Sequence, residues 1–401
     1  MMVTGFWAKD FSFFAWLLAL GWIAQAVAAL RGIPTLPDLT RIDPASLPPL
    51  SMDDKWHLSV LVPACNEEGT IQQTLRSLLQ STGVRLEIIA IDDRSTDRTG
   101  ALLDAVEADA PGSPHRLMVI HNRELPAGWL GKPHALALAA KQATAPWILI
   151  TDGDMLFTPR ALELALRCAL REQADHFCLV PEQIHETIGE TAMLATVQAM
   201  SQWSTRLWKV ADPKSKDFFG MGCFTMVRRE VLDRLGGMEA LKMQVTEDLA
   251  LAWMAKHAGF RSRIALGPGL LSIHWMHGWT GLVGNMEKNG FTILGYRLWL
   301  GILVCLGAAT QVWLPLRAIS LGGWNLLAGL LTYLGIALTI HANRRINAVS
   351  PFAAALFAPT AAIVGFGFAR SIALTILRDG VQWRGSHYPL RELRKYDFRC
   401  Q

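Results

Sequence analysis

Charged residues are scarce in this sequence, and the shortage is concentrated in a few segments. Asp, Glu, Lys and Arg make up 18% of the 401 residues, whereas a soluble domain usually carries about 25%. The net charge is only +4, too small to indicate a nucleic-acid partner. The six cysteines form neither a CxxC pair nor a zinc-finger spacing. This absence favours free thiols in a reducing compartment.

Four segments lack charged residues over lengths that could cross a membrane. A spanning helix needs about 20 predominantly apolar residues, and the segments cover residues 11–30, 298–315, 318–340 and 346–369. We expect one N-terminal and two to three C-terminal transmembrane or interfacial helices. One alternative is that these segments are buried core helices. For the first segment, a cleaved signal peptide ending near Ala26-Val27-Ala28 is another alternative, and it would export the central region.

The central region alternates between strand-like and helix-like patterns. A proline-rich linker covers residues 32–55. Alternating strands and helices predict βαβ units with a mostly parallel sheet. The predicted strands cover residues 57–62, 86–91, 117–121 and 147–151, and the predicted helices cover residues 70–80, 97–108 and 132–143.

Acidic residues follow two of these strands directly, and a third acidic pair opens a later helix. Ligands of open α/β sheets bind at the carboxyl ends of the strands, so these positions are candidate site residues. A single acidic residue there can simply cap a helix, and capping is the favoured interpretation of Asp97. Acidic pairs at successive strand ends are harder to explain by capping, because close carboxylates repel unless a cation neutralises them. The motifs are Asp92-Asp93, Asp152-Gly153-Asp154 and Thr246-Glu247-Asp248.

The Asp152-Gly153-Asp154 spacing suits a divalent cation. Mg²⁺ and Mn²⁺ prefer oxygen ligands and usually combine one or two carboxylates with substrate phosphates. His274 or His277 would complete the metal shell in one interpretation, and both are structural in the other.

Taken together, the motifs resemble family 2 glycosyltransferases in their order and spacing. The resemblance covers residues 57–290 and includes Val60 to Glu68, Asp92 to Asp97 and the two later acidic motifs. Trp129 to Ala135 is similar to the G-K-x-x-A loop of the family, and Trp383-Arg384-Gly385 is similar to its membrane-bound members that glycosylate lipids. The nearest comparisons are hopene-associated, ceramide and carotenoid glucosyltransferases.

The resemblance implies a GT-A type α/β fold and a role for each motif residue. It implies a nucleotide-sugar donor, with a UDP-hexose favoured by family likeness alone, a lipid acceptor and a divalent metal, Mg or Mn. Asp248 would be the general base, with Glu247 either in the site or capping the next helix. Asp152 and Asp154 would hold the metal. The implied donor-binding residues are Pro63, Ala64, Asn66, Glu67, Asp92, Asp93, Lys132 and Asp152.

The implied organisation is a multi-pass protein of the cell membrane with a cytoplasmic catalytic domain. Three C-terminal crossings would place the basic tail outside, against the positive-inside rule, so one C-terminal segment is expected not to cross. The expected parts are an N-terminal transmembrane helix (1–31), the linker (32–55), the glycosyltransferase domain (56–291), C-terminal transmembrane or interfacial helices (292–378) and a basic cytoplasmic tail (379–401).

Two further observations leave alternatives open. Residues 200–217 mix tryptophans with cations, which predicts a helix at the membrane interface or an amphipathic helix on the catalytic domain. Residues 272–279 lack the arginine of the Q/R-x-x-R-W element found in processive synthases, which disfavours a polymer product. The remaining functional alternatives are a polyprenyl-phosphate glycosyltransferase, an inactive nucleotide-sugar binder and a nucleotidyltransferase.

Overall fold

A computed structural model describes residues 2–400 of the chain. The chain divides into two compact units. The helical unit contains Met1–Thr35, His185–Leu207 and Trp275–Val381, and the sheet unit contains Leu36–Ile184, Trp208–His274 and Gln382–Gln401.

Strands and helices alternate through the first part of the sheet unit, as the sequence predicts. The strands of the described residues are β1 (Leu58–Ala64), β2 (Leu86–Asp93), β3 (Arg116–Asn122), β4 (Trp147–Ile150), β5 (Leu156–Phe157), β6 (His176–Gln183), β7 (Thr225–Arg228), β8 (Ser262–Ile273), β9 (Gly380–Trp383) and β10 (Ser386–Pro389). The α-helices are α1 (Met2–Gly32), α2 (Ile71–Leu79), α3 (Thr99–Asp109), α4 (Gly131–Gln142), α5 (Ala161–Arg171), α6 (Ile188–Ser201), α7 (Arg229–Arg234), α8 (Glu247–His257), α9 (Gly278–Ile293), α10 (Leu298–Leu321), α11 (Gly323–Ala342), α12 (Phe357–Leu377) and α13 (Leu390–Lys395).

Eight strands form one mixed sheet in the order β3-β2-β1-β4-β7-β6-β8-β5. The first four in this order are parallel, which confirms the predicted βαβ units. Beyond β4 the sheet becomes mixed, because β7 runs antiparallel to both of its neighbours. Every residue of β2 is buried, as expected for a central parallel strand that is covered on both faces.

Helices pack their apolar stripes against this sheet. The buried residues of α2 are Ile71, Thr74, Leu75 and Leu78, spaced so that they share one helix face. Side chains from β1, β2 and β4 meet side chains from α4 and α8 in one buried cluster. This packing fixes the strand ends where the acidic motifs lie.

The helices of the helical unit approach closely at small residues. A Cβ added at Gly335 of α11 would stand 2.8 Å from Trp22 of α1. A similar contact joins Gly367 of α12 to Met286 of α9, at 2.6 Å from a Cβ at the glycine. Small residues at such crossings allow the backbones to approach, which stabilises packing between apolar helices.

Among the described residues of this unit, four helical stretches are long and apolar enough to cross a membrane: Phe11–Thr35, Leu298–Leu321, Gly323–Arg345 and Pro351–Leu377. These are the one N-terminal and three C-terminal segments expected from the sequence. The boundary between the second and third of these segments lies further along the chain than the charge pattern predicts. Helix α10 continues past Pro315 and Arg317, and the chain turns at Gly322 and Gly323, whose φ angles are +71° and +55°.

The prediction of a helix over residues 200–217 is wrong. Helix α6 ends at Ser201, and only a short 3₁₀ turn, Leu207–Lys209, follows before β7. Turns at residues 202–204 follow α6, and further turns around Asp212 and Pro213 interrupt the stretch. Pro213 also lacks the backbone N–H that a helix at this position would need.

Candidate active site

The candidate site lies in the sheet unit at the carboxyl ends of neighbouring strands. β1 ends at Ala64, β2 ends at Asp93, and Asp152 follows two residues after the end of β4. The register places Ala64 opposite Asp92, so the loops after β1 and β2 leave the sheet side by side.

The loops after β1 and β2 are tied together by hydrogen bonds. Asn66 has a φ of +56°, and its Oδ1 accepts a hydrogen bond from the Thr96 backbone N–H at 2.8 Å. The Glu67 N–H donates to Thr99 Oγ1 at 2.8 Å. Among the predicted nucleotide-binding residues, Ala64 is buried, Pro63 and Glu67 are half-buried, and Asn66 is exposed. These residues form one ledge at the end of β1.

Asp97 lies in the loop after β2. Its Oδ1 accepts a hydrogen bond from the backbone N–H of Thr99, the first residue of α3, at 2.9 Å. Burial alone would raise the pKa of the Asp97 carboxyl, but hydrogen bonds from Thr99 and from the Glu68 backbone N–H outweigh burial and lower the pKa below its usual value. Arg98 is the N-cap residue of α3, so Asp97 stabilises the turn just before the helix and does not cap it as the sequence predicts.

Asp92 and Asp93 point in opposite directions, because successive strand residues face opposite sides of a sheet. The Asp92 carboxylate bonds the Ser95 N–H at 3.2 Å and His121 Nδ1 at 2.9 Å. Asp93 accepts hydrogen bonds from Arg94 Nε at 3.0 Å and Nη2 at 2.9 Å, and from Asn122 Nδ2 at 2.7 Å. The structure therefore does not bring Asp92 together with the other predicted site carboxylates.

Lys132 joins two of the acidic motifs. Its Nζ lies 2.6 Å from Asp152 Oδ1 and 2.7 Å from Glu247 Oε1. Burial alone would lower the pKa of this ammonium group, but the two carboxylates outweigh burial and raise the pKa above its usual value. Lys132 is therefore a permanent cation, and Glu247 contacts the site although it is also the first residue of α8.

Asp248 lies beside this ion-paired group. A Cβ added at Gly222 would stand 3.2 Å from Lys132 Nζ and 3.7 Å from both Asp152 Oδ2 and Asp248 Oδ2. A side chain at this position would crowd all three groups, so the glycine keeps the space between them open. Burial, together with the neighbouring Glu247 carboxylate, raises the pKa of Asp248 to about 6. A carboxylate with such a pKa is mostly ionised at neutral pH and accepts a proton more readily than an ordinary one.

Asp154 has the properties of a metal ligand. Its Oδ1 is buried and has no hydrogen-bond partner. Burial first, and then the nearby Asp152 and Glu67 carboxylates, raise its pKa to about 6. A buried carboxylate oxygen without a donor is costly unless a cation reaches it, so the donor set fits a hard divalent ion. Within residues 2–400 no group of three or more His, Cys, Asp or Glu side chains is placed to hold a metal by itself.

Three polar residues near the site are not among the site residues that the sequence predicts, although Arg384 belongs to the Trp383-Arg384-Gly385 motif. Asn122 binds the predicted nucleotide residue Asp93. Tyr388 is buried and its hydroxyl accepts a hydrogen bond from the Gly131 N–H at 3.3 Å. Arg384 donates to the Cys65 carbonyl. The position of Asn122 just after a predicted strand could have indicated this residue. The contacts of Arg384 and Tyr388 form only because the C-terminal residues pack against the rest of the sheet unit.

Comparison with known proteins agrees with the motif order. Residues 59–236 match the profile of glycosyl transferase family 2. The 4,4'-diaponeurosporenoate glycosyltransferase of Staphylococcus aureus (strain MRSA252) is 26% identical over 207 residues, which cover 48% of this chain and 50% of that protein. The beta-monoglucosyldiacylglycerol synthase of Synechocystis sp. is 25% identical over 271 residues, which cover 63% of this chain and 51% of that protein. The chain thus spans about half the length of these curated relatives.

A solved structure is also similar. It is a mannosyltransferase from Pyrobaculum calidifontis in complex with GDP-Man and Mn²⁺, and it is 18% identical, with 91% of this chain and 99% of that chain covered at a TM-score of 0.48. The mixed α/β sheet of the present chain and its family profile confirm the GT-A type fold that the motifs imply.

Proposed function

We propose that this chain, which carries a glycosyltransferase family 2 domain over residues 59–236, transfers a sugar from a nucleoside-diphosphate sugar to a membrane lipid with inversion at the anomeric carbon. The observation that carries the proposal is the close group of Lys132, Asp152, Glu247 and Asp248 at the carboxyl end of the sheet. This group combines a basic carboxylate, a fixed cation and an adjoining acidic motif suited to a metal.

Asp152 and Asp154 would hold a divalent cation, Mg²⁺ or Mn²⁺. The unpartnered Asp154 oxygen and its raised pKa support this assignment. When bound, the cation would neutralise the negative charge of the diphosphate as it leaves. Lys132 holds Asp152 at 2.6 Å, so the ammonium group orients one of the two metal-binding carboxylates.

Asp248 is the proposed general base. A hydroxyl group is a poor nucleophile at neutral pH and needs a base within hydrogen-bond reach. The Asp248 carboxylate takes the hydroxyl proton as the oxygen attacks the anomeric carbon, while the bond from that carbon to the diphosphate breaks on the opposite side. The products are the glycosylated acceptor and a nucleoside diphosphate. Burial and the charge of Glu247 raise the pKa of this carboxylate, and the charge of Lys132 lowers it.

The proposed acceptor is a lipid. One relative is a glycosyltransferase of 4,4'-diaponeurosporenoate, and the other is a synthase of beta-monoglucosyldiacylglycerol. The four apolar helices support membrane association of the present chain. We further propose a multi-pass arrangement with the sheet unit in the cytoplasm, where nucleotide sugars are found. Five cysteines among the described residues are free thiols, which supports a reducing compartment.

The Asp248→Asn variant tests the proposed base. Asparagine keeps the shape of the side chain but cannot accept the hydroxyl proton, so transfer should fall by roughly 10²- to 10⁴-fold. Binding of UDP or GDP, measured by calorimetry with Mn²⁺, should stay within a few-fold of the parent. The matched control is Asp233→Asn, which changes an exposed aspartate on α7. Near-normal turnover by the Asp248→Asn protein would refute the assignment.

A further inference from the structure

The C-terminal residues of the sheet unit form a hairpin tip that reaches the ledge after β1. The turn between β9 and β10 consists of Arg384 and Gly385, with φ angles of +48° and +78°. Positive φ at both positions is the type I′ form of a two-residue hairpin turn, which favours asparagine, aspartate or glycine there. An arginine at the first position is therefore unusual and points to a role for its side chain.

The segment after the hairpin tip is anchored to the sheet unit. Tyr388 of β10 is buried against the start of α4. Further along, Phe398 lies in the core cluster of the sheet, 5.5 Å from the Trp253 ring of α8. Gln244 donates a hydrogen bond to the Tyr396 carbonyl. The tip is thus held in place by the folded chain that follows it.

The Arg384 guanidinium lies at the edge of the predicted donor site. Nη1 donates to the Cys65 carbonyl, and Nη2 lies 2.5 Å from Glu67 Oε1. Glu67 in turn lies against the metal motif, because a Cβ added at Gly153 would stand 3.6 Å from Glu67 Cγ. A single carboxylate therefore separates Arg384 from the Asp152-Gly153-Asp154 motif.

The cations near the site differ in the carboxylates that hold them and in their exposure. Lys132 is held by two carboxylates, with 18% of its side chain exposed. Arg94 makes two hydrogen bonds to the buried Asp93. Arg384 faces one carboxylate that is itself partly exposed, and 42% of its own side chain is accessible. A guanidinium has a planar set of donors that matches phosphate oxygens, so Arg384 is suited to exchange its partner.

We infer that Arg384 is a binding residue for the diphosphate of the nucleotide, and that it exchanges Glu67 for phosphate oxygens when the nucleotide enters. This inference rests on the proposed function, because it assumes a nucleoside-diphosphate donor at the end of β1. The incoming anion replaces the charge of Glu67 around the guanidinium, so Arg384 stays paired in both states. The hairpin would then be part of the donor site.

The test compares nucleotide and nucleoside binding by the full-length protein in detergent with Mn²⁺. UDP and GDP are titrated by calorimetry, and uridine and guanosine are measured by ligand-observed NMR. Arg384→Ala should weaken binding of the preferred diphosphate by about 10- to 100-fold, the range of a lost charge-assisted hydrogen bond, and leave the nucleoside unchanged. Arg384→Lys should lose less, because it keeps the charge without the planar donors. The control is Arg391→Ala, which removes an exposed cation from the same tail.

Three outcomes would overturn the inference, and they are distinguishable. Equal diphosphate affinities for the parent and Arg384→Ala proteins would refute the role of Arg384 and leave the proposed function intact. Equal losses for diphosphate and nucleoside, with a lower melting temperature, would show that Arg384 only holds the hairpin. Failure of the parent protein to bind either diphosphate would refute the proposed function and the inference with it.

Discussion

Lys132 should control the pH at which the proposed base becomes ionised, and Lys132→Met tests this directly. The ammonium group contacts Asp152 and Glu247 at 2.6 and 2.7 Å, and its charge lowers the pKa of Asp248 against the effects of burial and Glu247. Methionine has a similar length but no charge. The substitution therefore leaves three neighbouring carboxylates without their cation.

The size of the effect follows from the geometry around Gly222. Lys132 Nζ and Asp248 Oδ2 both lie within 3.7 Å of the position that a Cβ on Gly222 would take. They are thus separated by about 7 Å or less, and at an effective dielectric constant of about 20 their attraction is roughly 2 kcal/mol. Since about 1.4 kcal/mol corresponds to one pKa unit, loss of the ammonium should raise the pKa of Asp248 by about one to two units.

The assay is the pH dependence of turnover at saturating donor, which reports ionisation in the enzyme–substrate complex. A base must be ionised, so activity should rise with pH through the pKa of Asp248, near 6 in the parent. In Lys132→Met the rise should come about one to two pH units later, so activity lost at pH 6.5 should partly return at pH 8.5. Lys141→Met, on the exposed end of the same helix, should keep the parent profile. An unchanged midpoint in a folded Lys132→Met protein would refute this electrostatic account.

Two further predictions concern the Asp152-Gly153-Asp154 motif and Gly220. Asp154→Asn should abolish metal-dependent transfer. In the parent protein, Mn²⁺ affinity should fall about tenfold per pH unit below about pH 6, because Asp154 becomes protonated there. Calorimetry with Mn²⁺ between pH 5 and 7.5 measures this affinity, and pH-independent binding would contradict the prediction. Gly220→Ala should destabilise the protein by on the order of 1–3 kcal/mol, because its Cβ would overlap the Asp248 carbonyl. Thermal melting should separate it from Gly69→Ala, where a Cβ meets no atom within 4 Å.

Much of the sheet unit could be predicted from the sequence, because buried parallel strands leave continuous apolar runs. The predicted strand over residues 86–91 agrees with β2 to within two residues, and the first two acidic motifs lie at the carboxyl ends of β2 and β4 as expected. The antiparallel pairing of β7 was not predictable in the same way, since its four residues, Thr225–Arg228, are too few to show a clear periodic pattern.

The contacts that complete the candidate site were harder to predict. Asp92 and Asp93 are adjacent in sequence, but strand alternation sends Asp92 to His121 and Asp93 to Arg94. Arg384 is 317 residues from the Glu67 carboxylate that it pairs with. Such long-range contacts depend on how the C-terminal residues pack, and local sequence patterns do not predict them.

Glycosyl transfer to a lipid can be measured with a radiolabelled donor. Membranes containing the protein would be incubated with labelled UDP- and GDP-sugars, with and without EDTA, and then extracted with organic solvent. We expect a labelled, EDTA-sensitive lipid that is absent from Asp248→Asn membranes and present in Asp233→Asn membranes. Label in an insoluble polymer, label transferred only to polyprenyl phosphate, or no transfer from any donor would refute the proposed function.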